Sequence, residues 1–388
     1  MSKDTNQILE RGVEEVIDRK HLESALVSGK KLRVKLGIDP TSPNIHIGRA
    51  VVLWKLREFQ ELGHQIVFIV GDFTGQIGDT SDKESERPML SEEQVKQNLK
   101  TYFSQAFKIL DKNKTETHYN SEWLSKLNFI EIGKMADRFG LHEMISRELI
   151  KKRLDAGKRV SLRELLYPLL QGYDSVAVKA DLELGGTDQR FNLLAGRAIQ
   201  PIYGQEPQDI LITKFPLEGL DGRKMSSSWN NGINIMDEPN DMFGKVMSIS
   251  DDLIMKYFTL ATRVPLENIA SIGKRLKGGD NPRDIKMELA RAIVALYHGD
   301  KIAKRAFQEF DKVFSKKELP EDIKGVDNKD NIITTLWNAG IVTSNSEAKR
   351  LVDQKAVRVN DEVVENWDYK LKGGDIIKVG PRKFLKIK

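Results

Sequence analysis

Apolar residues recur at roughly helical spacing through positions 1–30 (Ile8, Val13, Val16, Ile17, Leu22, Leu26), so the pattern predicts one helix there. The period then shortens. Leu32, Val34, Leu36 and Ile38 alternate with Arg33, Lys35 and Gly37, as a strand does. Asp39-Pro40-Thr41-Ser42-Pro43-Asn44 is a turn by composition. A helix over 47–62 follows, with Val52, Leu56 and Phe59 on one stripe, and then a short apolar strand over 65–70. Strand, helix, strand in that order argues for βαβ units and a parallel sheet. Helices are predicted at 92–110, 129–180 and 189–200, and strands at 117–119, 181–184 and 209–213. Positions 242–314 read as helical throughout. The stretch 315–330 is charged, holds Pro320 and reads as a linker. Beyond it lie helices at 331–339 and 346–354 and strands at 356–360 and 375–379. The expected fold is a doubly wound α/β domain of Rossmann-like type, then an α-helical domain, then a small α+β domain, with borders at 1–225, 226–320 and 331–388.

Composition narrows the chemistry. The 388 residues include no cysteine, which excludes disulfides, thiolate metal sites and cysteine nucleophiles. No apolar run approaches a membrane span, and positions 1–11 are too polar for a secretory signal, so a cytoplasmic protein is expected. The net charge is +5, and from Asn331 to Lys388 there are 11 Lys/Arg against 7 Asp/Glu. Most of the excess sits in the last segment, which suits contact with nucleic acid.

Three segments carry candidate chemistry. In the first, Gly37 to Arg49, a strand ends, a turn follows, and a helix begins at His46. In a parallel sheet that turn lies at the carboxyl edge, where ligands bind. The helix start offers free N–H groups to phosphate, and Gly48 permits close approach. His21, His64, His118, His142 and His298 lack such a context and read as structural. The second, Gly222-Arg223-Lys224-Met225-Ser226-Ser227-Ser228, is a loop of two cations and three hydroxyls able to fold over a polyphosphate. The third places Tyr167, Gln171 and Asp174 at i, i+4 and i+7 on one face of a helix that is otherwise leucine-rich. This face is either a polar stripe toward solvent or a binding surface. Downstream, Gly185-Gly186-Thr187-Asp188-Gln189 is a glycine turn into a helix. Asp188 there can take a ribose hydroxyl pair or cap the helix.

The first two segments together resemble the paired HIGH and KMSKS signatures of class I aminoacyl-tRNA synthetases. Arg49 stands where the second His would be, and Ser227 where the second Lys would be. Arg49 keeps a phosphate-binding group, whereas Ser227 removes a cation from pyrophosphate stabilisation. The third segment, with Val70-Gly71-Asp72-Phe73-Thr74-Gly75-Gln76-Ile77-Gly78-Asp79, Lys83 and Arg87, resembles the tyrosyl-tRNA synthetases along nearly the whole chain. That resemblance implies roles. Tyr167, Gln171 and Asp79 match positions that hold the α-amino group of tyrosine, and Asp174 the acceptor of its phenol hydroxyl. Gln189 lies near the carboxyl, Asp39, Gly186 and Asp188 near the amino acid and ribose, and Gly37 and Thr74 with the tyrosine site. Thr41, His46, Gly48, Arg49, Lys224, Met225, Ser226 and Ser227 fall to ATP and catalysis, and Lys83 and Arg87 to tRNA and pyrophosphate. Many members carry Tyr where this chain has Lys35, which marks a branch writing Lys-x-Gly-x-Asp-Pro-Thr. Lys35 either reaches Asp174, so that the pair holds the phenol hydroxyl, or points to solvent.

Residues 331–388 resemble the small RNA-binding module of ribosomal small-subunit protein four, which implies that Lys349, Arg350, Lys355 and Arg358 face RNA phosphates. The resemblances imply a tyrosine–tRNA ligase with partners L-tyrosine, ATP and tRNA(Tyr). Mg²⁺ is expected with ATP, and no organic prosthetic group. They also imply anticodon recognition by 226–320 and a homodimer formed near 120–155. A tryptophanyl-tRNA synthetase and a non-catalytic RNA-binding paralogue are the alternatives.

Overall fold

The first unit is built on a six-stranded sheet of β1 (Val13–Ile17), β2 (Arg33–Ile38), β3 (Gln65–Val70), β4 (Thr115–Tyr119), β5 (Leu182–Gly186) and β6 (Asp209–Thr213), in the spatial order β1-β6-β5-β2-β3-β4. The computed structural model describes residues 7–80, 89–214, 216–315, 323–327, 331–380 and 383–388. β2 through β6 run parallel, and only β1 is antiparallel to its neighbour. β3 and β6 are buried on both faces, as central strands of a sheet covered by helices must be. From β2 the chain winds one way through β3 to β4. Strands β5 and β6 then build the other side. The strand order therefore reverses between β2 and β5, and a crevice opens at their carboxyl ends.

Three helices shape that crevice. Ile47–Glu61 starts at the end of the turn after β2. Leu162–Ala177 and Arg190–Ile199 cross tightly, because a Cβ at Gly172 would lie 2.7 Å from Ile199 and 3.1 Å from the backbone of Ala195. Leu162–Ala177 contains Pro168, which cannot donate to the carbonyl of Glu164. Arg147 Nη2 takes that carbonyl instead at 3.3 Å.

The N-terminal segment is not the single helix its apolar spacing predicts. Val13–Ile17 is a strand and Arg19–Val27 a helix. Gly12 and Asp18 bracket the strand with φ of 64° and 60°, which breaks any continuous helix. The β-branched Val13, Val16 and Ile17 are recruited by β6. The expected helix at 92–110 is two, Glu92–Leu99 and Tyr102–Ala106, and the region 129–180 holds four.

The chain divides into two compact units, Met1–Asp237 with Lys245–Tyr297, and Glu238–Gly244 with His298–Lys388. The helices Ile254–Ala261, Leu266–Lys277 and Pro282–His298 thus pack mainly with the first unit. One reason is Arg11, whose guanidinium donates to the carbonyls of Phe258, Thr259, Thr262 and Val264 and satisfies a helix end. The second unit contains a five-stranded sheet of β7 (Lys324–Val326), β8 (Val357–Val359), β9 (Glu362–Val363), β10 (Ile376–Val379) and β11 (Lys383–Ile387), in the order β7-β11-β10-β8-β9. The helices Ile332–Asn338 and Asn345–Asp353 pack on it through Ile332, Leu336, Ala348 and Val352. The expected linker thus contributes a strand. Lys324–Val326 pairs with residues some sixty positions later, a partner no local pattern shows. No helix among the described residues is long and apolar enough to cross a membrane.

Candidate active site

The crevice is a cavity of 440 Å³, of the size of a small-molecule site. Its walls come from the carboxyl ends of β2, β3, β5 and β6 (Gly37 and Asp39, Gly71, Gly186, Thr213) and from the face of Leu162–Ala177 that carries Tyr167, Gln171 and Asp174. That face is not a solvent stripe, since Tyr167 and Asp174 are buried. Thr41, Thr74, Asp79, Asp188 and Gln189 also line the cavity. So do His46, Gly48, Arg49, Lys224, Met225, Ser226 and Ser227.

At one end His46 caps the helix Ile47–Glu61. Its Nδ1 accepts the Arg49 N–H at 3.2 Å, so the neutral ring carries its proton on Nε2. Burial first, then the charges of Arg49 and Lys224, push His46 down to about 3. It therefore stays neutral across the physiological range, with Nε2–H as its donor. Arg49 is no loose surface side chain: its guanidinium donates to Tyr102 Oη at 3.0 Å and Thr41 Oγ1 at 2.9 Å. Gly48 leaves room for His46, whose ring would lie 3.0 Å from an added Cβ.

The loop of Lys224 is held against this end. The backbone of Lys224 pairs antiparallel with that of Glu218, and Lys224 Nζ lies 3.7 Å from Asp188 Oδ2. The Ser226 N–H donates to Asn231 Oδ1 at 2.8 Å. Ser42 Oγ bonds Ser227 Oγ at 3.0 Å, linking the loop to the turn after β2. Ser227 adds a hydroxyl contact here and no charge.

At the other end the polar groups converge. Asp39 accepts from Tyr167 Oη at 2.9 Å and from Thr74 Oγ1 at 2.7 Å. Burial and the adjacent Asp39 carboxylate raise Tyr167 well above its ordinary range, so it remains a donor. Gly71 is required here: a Cβ would lie 2.1 Å from Asp39 Oδ1 and 2.2 Å from Thr74 Oγ1. Gln189 Nε2 donates to Asp79 Oδ2 at 2.8 Å. Asp174 accepts from Trp123 Nε1 at 2.8 Å and from Asn120 Nδ2 at 3.2 Å. Burial pushes Asp174 up to about 7, against the opposing pull of Lys35, Trp123 and Asn120.

Lys35 takes neither of its two expected placements. It is fully buried, outside the cavity lining, and its ion pair is with Glu183 at 2.9 Å, not with Asp174. Strand alternation sends it into the layer between sheet and helix, where β5 offers the carboxylate. Asn120, which lines the cavity, and Trp123 and Glu183, which hold Asp174 and Gln171 from behind it, are not revealed by the sequence motifs. Asn120 directly follows β4 at the ligand-binding edge, and that position is the one signal the sequence holds for it. Lys83 and Arg87 lie outside the described residues.

In the second unit Lys349, Arg350, Lys355 and Arg358 are all exposed. Lys349 Nζ sits 4.7 Å from the Trp367 ring centroid, so a cation and an exposed aromatic face lie together.

Residues 28–315 match the family described as tRNA synthetases class I (W and Y), and residues 332–377 match the S4 domain. A tyrosine–tRNA ligase of Carboxydothermus hydrogenoformans is 48% identical, over 98% of this chain and 97% of that protein. One from Thermotoga maritima is 47% identical, over 98% and 96%. Among solved structures, the C-terminally truncated mitochondrial tyrosyl-tRNA synthetase of Aspergillus nidulans has a TM-score of 0.66 at 21% identity, covering 81% of this chain and 95% of that one. The Archaeoglobus fulgidus tyrosyl-tRNA synthetase complexed with L-tyrosine has a TM-score of 0.62 at 22% identity, covering 79% and 100%. The two structural likenesses speak for the fold, and the two sequence relatives for the lineage: the chain belongs to the class I tRNA synthetases, in the tyrosine–tRNA ligase family, with a C-terminal S4 domain.

Proposed function

We propose that this cavity carries out both steps of tyrosine–tRNA ligation. In the first, a carboxylate oxygen of L-tyrosine attacks the α-phosphorus of ATP. A P–O bond forms, the bond to the β-phosphate bridge breaks, and tyrosyl-adenylate and pyrophosphate result. In the second, a ribose hydroxyl of the terminal adenosine of tRNA(Tyr) attacks the tyrosyl carbonyl and AMP leaves. No protein nucleophile is needed; positioning and charge do the work. Asp174 accepts the phenol hydroxyl. Asp39, Asp79, Tyr167 and Gln171 surround the α-ammonium, with Gly37 and Thr74 beside them and Gln189 toward the carboxyl. Gly186 and Asp188 take the ribose. Thr41, His46 Nε2–H, Gly48, Arg49 and the loop of Lys224, Met225, Ser226 and Ser227 face the phosphates; Lys83 and Arg87 are assigned to tRNA and pyrophosphate on the resemblance alone. Mg²⁺ would come with ATP, held mainly by the phosphates, whose charge it would offset. Among the described residues no group of three or more His, Cys, Asp or Glu could hold a metal ion.

The observation that carries this reading is a single cavity with a buried carboxylate at one end and a neutral His with Lys224 at the other. ATP–pyrophosphate exchange with each amino acid tests it. Tyrosine alone should support exchange, and exchange with tryptophan or with none would refute it. Residues 226–320 are assigned to the anticodon and 331–388 to RNA phosphates through Lys349, Arg350, Lys355 and Arg358. The run Lys35 to Thr41 marks the branch. A cytoplasmic location is assigned on the family resemblance, and a homodimer because Phe129, Ile130, Leu141 and Leu162 are 84, 67, 68 and 72% exposed in and beside 120–155.

A further inference from the structure

Behind the cavity lies a buried ion pair whose place in the fold calls for a function. Lys35 and Glu183 are 0 and 1% exposed. Lys35 Nζ has three acceptors: Glu183 Oε1 at 2.9 Å, Ser175 Oγ at 2.8 Å and the Gln171 backbone carbonyl at 3.0 Å. Glu183 Oε1 also accepts from Gln171 Nε2 at 3.2 Å, and Oε2 accepts from Ser175 Oγ at 3.0 Å and Gln208 Nε2 at 2.5 Å. All three ammonium protons and both carboxylate oxygens are engaged. Stability alone does not account for such a pair, since apolar residues of like volume would serve as well or better. The backbone also leaves room for it: a Cβ at Gly196 would lie 2.6 Å from Gln208 Nε2 and 2.9 Å from Ser175 Oγ.

The pair touches the binding helix at Gln171 and Ser175, on either side of Asp174. A carboxylate only accepts, so Glu183 fixes which end of the Gln171 amide turns toward it. The NH₂ faces Glu183, and the carbonyl oxygen is left for the cavity that Gln171 lines. An oxygen is what an ammonium requires. The same cation and anion are the charges acting on Asp174 from β2 and β5. Tyr167 faces it from its own helix, and Trp123, packed on His118, and Asn120 face it from the segment after β4.

We propose that the Lys35–Glu183 pair is the positioning element for both ends of bound tyrosine, turning the Gln171 side-chain oxygen Oε1 to the α-ammonium and holding Asp174 in place for the phenol hydroxyl. This rests on the reading that the cavity takes tyrosine. Neither residue touches substrate; both act through the helix between them.

The test uses the full chain and pyrophosphate exchange. The parent protein is assayed first: failure to activate tyrosine would sink the function itself, whereas success isolates the present question. Glu183→Gln frees the Gln171 amide to turn, so the tyrosine KM should rise about tenfold, the loss of one charged hydrogen bond, with the ATP KM unchanged. The pH profile of the tyrosine KM supplies a signature that a merely structural role would not give. Lys35→Met removes a cation that favours ionised Asp174, so the acidic limb should move to higher pH. Glu183→Gln removes a like charge, so the limb should move to lower pH. Opposite shifts support the proposal; shifts in one direction, no shift, or a parallel rise in ATP KM overturn it. Should either single variant fail to fold, the neutral pair Lys35→Met with Glu183→Gln decides. It should keep the parent ATP KM and raise the tyrosine KM, and a parent tyrosine KM would overturn the proposal.

Discussion

Replacing Asp174 by Asn changes charge and hydrogen-bond polarity at nearly constant volume. The carboxylate accepts from Trp123 at 2.8 Å and Asn120 at 3.2 Å. An Asn oxygen can keep the Trp123 bond, but its NH₂ then meets the NH₂ of Asn120, donor against donor. To the substrate it offers a neutral amide where a charged acceptor stood. One hydrogen bond to a charged group contributes about 1.5–3 kcal/mol, so kcat/KM for tyrosine should fall about 10- to 150-fold. Phenylalanine brings no hydroxyl and should lose nothing, so the preference for tyrosine should shrink by the same factor. pH gives a second readout. Asp174 is pushed up to about 7, chiefly by burial. Its ionised form accepts the phenol proton, whereas its protonated form is itself a donor. Tyrosine kcat/KM should therefore rise with pH to about 7 and then level, and Asp174→Asn should abolish that limb. The same raised value means that protonated Asp174 stabilises the empty protein at low pH, and that this contribution fades as pH rises through about 7. Pyrophosphate exchange with both amino acids from pH 5.5 to 9 (a range set by about one to two units either side of that value) measures the preference and the acidic limb, and urea denaturation of the empty protein over the same range measures the stability. An Asn variant with an unchanged tyrosine preference, or one that keeps the acidic limb, would refute the assignment.

Lys224→Ala removes a cation from the end of the cavity that His46 lines. It should lower kcat for adenylate formation by about 10²-fold while tyrosine binding, read by equilibrium dialysis, stays at the parent level. Gly71→Ala drives a Cβ into Asp39 and Thr74; tyrosine binding should be lost, at a stability cost of about 1–3 kcal/mol seen by urea denaturation. A chain ended at Ser315 should keep exchange and lose most tRNA charging. In the full chain, tRNA affinity should fall steeply with salt as Lys349, Arg350, Lys355 and Arg358 release counterions. Equal charging by both chains would remove the tail from RNA binding.

Much of the fold and of the site is legible in the sequence by itself, because it is local. Helical and strand periods place the helix from 47, the strand 65–70 and the face shared by Tyr167, Gln171 and Asp174, since each depends on neighbours a few positions away. His46 at a helix start after a strand marks the ligand edge for the same reason. The tertiary structure decides what depends on distant partners. Val13–Ile17 has helical spacing and is a strand because β6 accepts it. Lys324–Val326 has the composition of a linker and joins β11. Lys35 reads as a partner of Asp174 or of water, and which carboxylate it meets is settled by the register of β2 against β5, where Lys35 lies beside Glu183. Asn120 and Trp123 reach Asp174 across 54 and 51 residues of chain. A sequence carries the period of its side chains but not the identity of the element that will pack against them, and the charge and orientation of a buried group depend on that element.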